Sequence, residues 1–190
     1  MDPAPFTRFR PLSAGRPIPE HPLHDTARQI DSVPAPEAAA YTFTRNTWVH
    51  ASPDALFDLI SDVSTISTWS PSAHGVAYDD GDGPWPGAHF QGRNRRGERE
   101  WGSRSQVVES LPGSVFAFVV DDIVRWRWTF RADGTGTVVE QSWQLLRLDP
   151  VLGSTRRDLD ALRDHMATSV ERTLLALARW IAERGDTTSP

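Results

Sequence analysis

Four polar side chains in this 190-residue chain are placed to do chemistry: Asn94, Arg104, Glu140 and His165. Their faces follow from local pattern. In the run 88–94, Phe90, Gly92 and Asn94 share one side and His89, Gln91 and Arg93 the other, because successive strand side chains point to opposite faces. Phe90 should point inward, which makes Asn94 an inner polar group; an Asn here also suits the turn at Arg95-Arg96-Gly97. In 99–110, Trp101, Ser103, Ser105 and Val107 share the expected inner face. A slip of one residue would bring Arg104 inward instead, since register decides the face of every side chain. Glu140 would serve as a general base if burial raised its pKa; its other role is to pair one of the arginines. His165 sits beside Leu162 and Met166, on or next to an apolar helical stripe. An imidazole there is either a proton relay or a half-buried edge residue.

These groups are set among tryptophans. Val124, Trp126, Trp128 and Phe130 alternate strictly with Arg125, Arg127 and Thr129, which predicts a strand with one buried and one wet face. Seven of the eight Trp lie before residue 144. Trp143 is expected inward on 137–147, with either face of that strand left open. Trp is large, rigid and carries an N–H, so it suits a cavity wall as well as a core. Either the core is very aromatic or the sheet wraps something. An aromatic wall with few polar groups suits an apolar or aromatic ligand, and any catalysis would come mainly from folding and orienting a reactive chain.

Composition removes several classes. The net charge of -5 argues against non-specific nucleic-acid binding. All 20 basic residues are Arg, so Schiff-base and lysine-base chemistry and a phosphate-loop lysine are excluded. With no Cys there is no thiolate nucleophile and no disulfide. The six His show no metal-ligand pattern, His21/His24 having no acidic partners, so neither metal nor cofactor is expected. No apolar run reaches membrane-spanning length. The N-terminus lacks a signal pattern, which predicts a cytoplasmic protein.

Residues 1–40 hold eight of the 15 prolines and read as an extended or disordered arm. The arm is either a loose leader or a segment that docks on its own domain or on a second subunit, as in a homodimer. From 41 the pattern predicts a strand (41–51), a helix begun by Ser52-Pro53-Asp54, and a short second helix ending at Trp69-Ser70-Pro71. Six strands joined by hairpin turns follow (76–79, 88–94, 99–110, 115–120, 123–131, 137–147). Last come a long helix, 156–183, with an apolar stripe, and a tail, 185–190. One apolar sheet face and one long amphipathic helix predict an α+β domain over 41–184, its curved antiparallel sheet of about seven strands wrapped on the helix.

Several phrases in that order resemble the polyketide cyclase/dehydratase and lipid-transport family of the START-like, Bet v 1-like superfamily, the helix-grip fold. They are residues 49–62 (Val-His-Ala-Ser-Pro-Asp-Ala-Leu-Phe-Asp-Leu-Ile-Ser-Asp), Trp69-Ser-Pro71, the stretch from Gly87 through Trp101, and Gly134–Glu140. The arm lies outside the family pattern. The resemblance implies an elongated cavity between sheet and C-terminal helix, walled here by Trp69, Phe90, Trp101, Trp126, Trp128, Trp143 and Met166. Cyclase relatives hold a polyketide carbonyl or enolate oxygen with a buried arginine. Arg93, Arg95 and Arg104 are the candidates here, a guanidinium being suited to developing oxyanion charge. His165 would lie over the cavity and relay a proton in ring closure; His74 would lie near its mouth. The missing lysine sets the chain apart from the alkaloid-forming and pathogenesis-related relatives. The expected function is a cofactor-independent cyclase, aromatase or dehydratase acting on a polyketide-like or aromatic metabolite. The alternative is a non-catalytic carrier or sensor of a hydrophobic small molecule.

Overall fold

The computed structural model describes residues 37–71, 73–79, 83–96, 99–150 and 152–185. The proline-rich arm up to residue 36 and the tail 186–190 lie outside the described residues. Ala38–Ala40, at the end of the expected arm, form one 3₁₀ turn.

Strand β1 (Thr42–Val49) is followed by helix α1 (Pro53–Ser61), a 3₁₀ turn (Val63–Thr65) and helix α2 (Ile66–Trp69). Six strands come next: β2 (Ala73–Tyr78), β3 (His89–Arg96), β4 (Arg99–Leu111), β5 (Val115–Val120), β6 (Val124–Asp133) and β7 (Gly136–Leu145). Helix α3 (Arg156–Gly185) ends the described chain. All neighbouring strands are antiparallel, in the order β1-β7-β6-β5-β4-β3-β2. Thus β2 to β7 form a meander, while α1 and α2 carry the chain from the β1 edge to the β2 edge. The curved sheet wraps α3, the arrangement the alternation and helical stripe predict.

Local chemistry fixes the ends of these elements. The Ser52 hydroxyl accepts from the Ala55 amide at 3.2 Å, and Pro53 begins α1, the pairing of side-chain cap and pre-set φ that starts helices. Before α3, Asp158 Oδ2 accepts from the Thr155 amide and hydroxyl while Thr155 Oγ1 accepts from the Asp158 amide. This reciprocal pair satisfies two otherwise orphaned donors. The bonds from Thr155 hold the Asp158 carboxyl below its ordinary pKa. Between β5 and β6, Asp121 and Asp122 both take positive φ (49° and 57°). The two open a three-residue loop between the paired Val120 and Val124, closed by the Ile123 amide donating to the Val120 carbonyl at 2.9 Å.

Two bulges re-aim side chains. In β2 the register shifts between His74 and Ala77 around Gly75, whose φ is +58°. In β4 it shifts between Val107 and Glu109, so that Val107 faces Phe118 but Ser110 faces Phe116. The extra residue, Val108, turns Glu109 to the outer face and Ser110 to the inner one. Strict alternation would have sent Glu109 inward.

The core forms two clusters. The first joins α1, α2, the sheet and the C-terminal half of α3 through Leu56, Phe57, Trp69, Phe116, Trp128, Val139, Val170, Leu174 and Leu177. The second, around Tyr41, Trp143, Leu145 and Leu159, takes in Leu162 and Met166 of α3. Phe43 and Trp126 pack against both.

Candidate functional site

The register places the inner-face residues in rows across the sheet. One row reads Val107, Phe118, Trp126, Trp143, Phe43; the next reads Ser110, Phe116, Trp128, Gln141, Arg45. Aromatic contacts run through both. Phe43 stacks on Trp143 at 5.5 Å, and Trp69 of α2 meets Trp128 edge-on at 6.0 Å. Phe57 of α1 meets Phe116 and Phe130, and Phe90 meets Phe118 at 5.0 Å and Tyr78 at 5.6 Å. Such pairs add about 0.5–1.5 kcal/mol each beyond the area they bury.

The four strand tryptophans among the expected wall residues differ in burial. Trp128 and Trp143 are buried and belong to the core, whereas Trp126 is only half-buried. Trp101 is 39% exposed and joins neither cluster. It shares the face of Ser105 and Val107, as alternation predicts, but sits near the hairpin end of β4, opposite Asn94. Phe43 and Phe118 are half-buried like Trp126. Phe118, Trp126 and Phe43 thus keep partial exposure within one inner-face row. Among the expected wall residues, Trp69, Phe90 and Trp128 belong to the first cluster, Trp143 and Met166 to the second, and Trp126 packs against both.

Of the expected catalytic residues, Arg104, Glu140 and His165 do not converge there. Arg104 keeps the straight register, opposite Gln91, on the face away from Phe90 and Ser105. Its guanidinium donates to Asp79 Oδ2 at 3.0 Å, and Gln91 donates to Asp79 Oδ1 at 2.8 Å. The Gln91 bond first, and then Arg104, holds the Asp79 carboxyl below its ordinary pKa. Arg93 is exposed on the same outer face, opposite Gly102 and His74. Glu140 alternates outward from Gln141 and accepts from Thr129 Oγ1 at 3.5 Å. His165 is exposed, a correction to its expected place over the cavity. The buried stripe of α3 runs through Leu159, Val170, Leu174 and Leu177 with Met166 between, and His165, one residue before Met166, falls about 100° round the helix from it. The side chains of Asn94 and Arg95 lie outside the described residues; the backbone of Asn94 pairs with Ala73 and Trp101.

Three inner polar groups were not among the candidate site residues, although Ser105 was expected to face inward. Ser105 is buried beside Phe90 in the register. Arg45 of β1 donates through Nε to Glu171 Oε1 of α3 at 2.7 Å and lies over the Phe43 ring. Gln141 is 7% exposed, and its Oε1 accepts no hydrogen bond from the described residues. The signal for Gln141 was present: it stands two residues before Trp143, on the face expected to point inward.

A second concavity, an open groove of about 620 Å³, is bounded by α1, the end of β2, residues 83–86 and the β4–β5 turn. Phe57, Tyr78 and Trp85 line it with Asp58, Asp62 and Ser110. The Tyr78 hydroxyl donates to the Ser61 carbonyl at 2.8 Å. Burial, and secondarily the Asp62 charge, pushes the Tyr78 phenol above its ordinary pKa. Gly83 lies against the Tyr78 ring so closely that a Cβ would run into it. No group of His, Cys, Asp and Glu among the described residues has the arrangement of a metal site, and no described helix is long and apolar enough to cross a membrane.

The family model described as polyketide cyclase/dehydrase and lipid transport matches residues 40–181. The chain belongs to this family. A solved polyketide-cyclase-like protein from Corynebacterium glutamicum is similar at 28% identity and TM-score 0.58, over 78% of this chain and 95% of that one. A di-domain ARO/CYC protein of the steffimycin biosynthetic pathway shares the fold at 16% identity and TM-score 0.63, over 77% of this chain and 52% of that one. Ara h 8.0201 does so at 10% identity and TM-score 0.56, over 75% of this chain and 97% of its own. No curated protein matches the chain. As a family member it has the helix-grip fold, and its concave face is the place to look for a ligand.

Proposed function

We propose that this protein binds a polyketide-like or aromatic hydrophobic metabolite between the concave sheet face and α3, and holds it without covalent chemistry. The observation that carries this reading is the split of the aromatic wall. Trp128 and Trp143 are spent on the core, while Phe43, Phe118 and Trp126 keep accessible surface. A pre-formed aromatic surface with few polar groups is suited to a flat or extended apolar ligand. The outward placing of Arg104 and Glu140 and the exposure of His165 favour a carrier or sensor over an enzyme with a dedicated acid–base set.

Family membership and the inner polar groups Ser105, Gln141 and Arg45 favour a second reading, a cofactor-independent cyclase, aromatase or dehydratase. In that case the protein folds and orients a reactive chain whose own carbonyls supply the chemistry. No role for a homodimer is needed in either reading, and both suit a cytoplasmic protein.

Mass spectrometry of small molecules extracted from the protein purified from its native host tests the binding. An aromatic or polyketide-like compound at near one per chain is the expected result; a purely aliphatic lipid, or no compound together with no uptake of 1-naphthol, overturns it. Accelerated ring closure of a poly-β-carbonyl thioester would select the second reading.

A further inference from the structure

On the inner face one buried side-chain atom, Gln141 Oε1, has no hydrogen-bond donor among the described residues. Gln141 sits in the row between Trp128 and Arg45, with Val139 and Trp143 two residues to either side on the same face. Direct cross-strand neighbours lie about 4.5–5.5 Å apart and diagonal ones about 7–8 Å. The amide is thus enclosed by apolar and aromatic side chains on three sides. Arg45, the polar neighbour, spends its Nε on Glu171 and an Nη on the Thr44 carbonyl. The Gln141 oxygen is buried, and no described residue donates to it. Arg125 Nε is the other buried atom in this condition, but that guanidinium lies on the outer face and has Glu109 at 3.6 Å. Gln141 has no such compensation.

Leaving a buried acceptor unsatisfied is costly, and a leucine of similar shape would avoid the cost. We propose that Gln141 is the specificity-determining hydrogen-bonding group of the concave site, and that it selects ligands bearing a phenolic or enolic hydroxyl. A hydroxyl both donates and accepts, so it can satisfy either end of the side-chain amide. The diagonal neighbour Trp126, which is only half-buried, puts aromatic surface where the ring bearing that hydroxyl would lie. A site with a polar group in place discriminates against an analogue lacking its partner far more strongly than an apolar pocket discriminates by size. The inference rests on the binding proposed above and narrows its ligand class from hydrophobic to hydroxylated aromatic.

The test uses two probes, 1-naphthol and naphthalene, with the full chain and with Gln141→Leu and Gln141→Met, by isothermal titration calorimetry. The wild type should prefer 1-naphthol to naphthalene, and that preference should shrink about tenfold in both variants, with naphthalene affinity unchanged. The thermal midpoint of Gln141→Leu should rise by about 2–4 °C, the shift expected for roughly 1 kcal/mol in a chain of this size. An unchanged 1-naphthol to naphthalene ratio in folded Gln141→Leu or Gln141→Met overturns the assignment while leaving aromatic binding standing. Failure of the wild type to bind either probe overturns the binding itself, and the assignment with it.

Discussion

Strand β6 presents two opposite surfaces within five residues. Its inner side chains, Trp126 and Trp128, meet aromatic neighbours from α2, β5 and β7; its outer ones, Arg125 and Arg127, share the Glu109 carboxylate at 3.6 and 3.1 Å. The outer face holds Arg104 and Glu140, two of the groups that look most chemical in the sequence, and each has a protein partner there, Asp79 for Arg104 and Thr129 for Glu140. The inner face holds few polar groups, and one of them, Gln141, has a buried oxygen to which no described residue donates. Charged groups on a wet sheet face are ordinary and weakly coupled to stability, whereas a single unpaired amide among tryptophans is not. Polarity that points to function in this fold is therefore the kind that is scarce and enclosed.

The comparison is broken most directly by truncating one residue of each face. Trp128→Ala should cost about 3–5 kcal/mol, seen as a fall in urea midpoint or as failure to fold, because it removes the edge contact with Trp69 as well as the buried ring. Arg127→Ala, its outward neighbour, should stay within about 1 kcal/mol. Equal costs would mean that the outer ion pairs matter as much as the core.

Trp126→Ala sharpens it next. That ring is half-buried between the two clusters, so its removal should cost about 1–2 kcal/mol, less than the Trp128 truncation. It should nevertheless lower 1-naphthol affinity about tenfold or more in calorimetry, as loss of an aromatic anchor does. A large stability loss with unchanged affinity would assign Trp126 to the core.

Tyr78 supplies a test by pH. The folded chain keeps this phenol protonated beyond the ordinary value of 10.0. Above that pH the unfolded chain loses the proton while the folded chain retains it, so the unfolded state gains and stability falls as pH rises. The urea midpoint should drop between pH 9 and 11, and Tyr78→Phe should flatten that drop. An identical drop in the variant would place its origin elsewhere.

The smallest effect belongs to the outer face. Arg104→Ala should leave 1-naphthol affinity within twofold of wild type and change stability by less than about 1 kcal/mol. The lowered pKa of Asp79 lends stability above its unfolded value of 3.8, lost as pH falls below it. The variant should therefore lose slightly less stability on acidification than the wild type. A tenfold loss of affinity would return Arg104 to the binding machinery.

Most of the architecture was legible residue by residue. The Trp-Arg-Trp alternation in β6, the Ser52-Pro53 start of α1 and the three- and four-residue spacing in α3 are local patterns with local physical causes, and the elements follow them. The site was legible in part. Trp69, Phe90 and Trp128 pack in one cluster, Trp143 and Met166 in the other and Trp126 against both, but no local pattern separates a tryptophan that fills the core from one that borders a ligand. Whether α2 and α3 cover a ring depends on residues far away in sequence, such as Trp69 over Trp128.

The same division explains the polar residues. The sequence by itself determined the chemical inventory, with arginine as the sole cation and no thiol, and it determined the strand and helix faces wherever alternation is unbroken. Only the tertiary structure decided that Glu109 faces outward, because the extra residue Val108 shifts the register of β4. It likewise decided that His165 stays exposed on α3 and that the buried Gln141 oxygen accepts from no described residue. Burial and hydrogen-bond satisfaction are properties of neighbours brought from across the chain, and a local pattern carries the direction of a side chain but not what waits there to meet it.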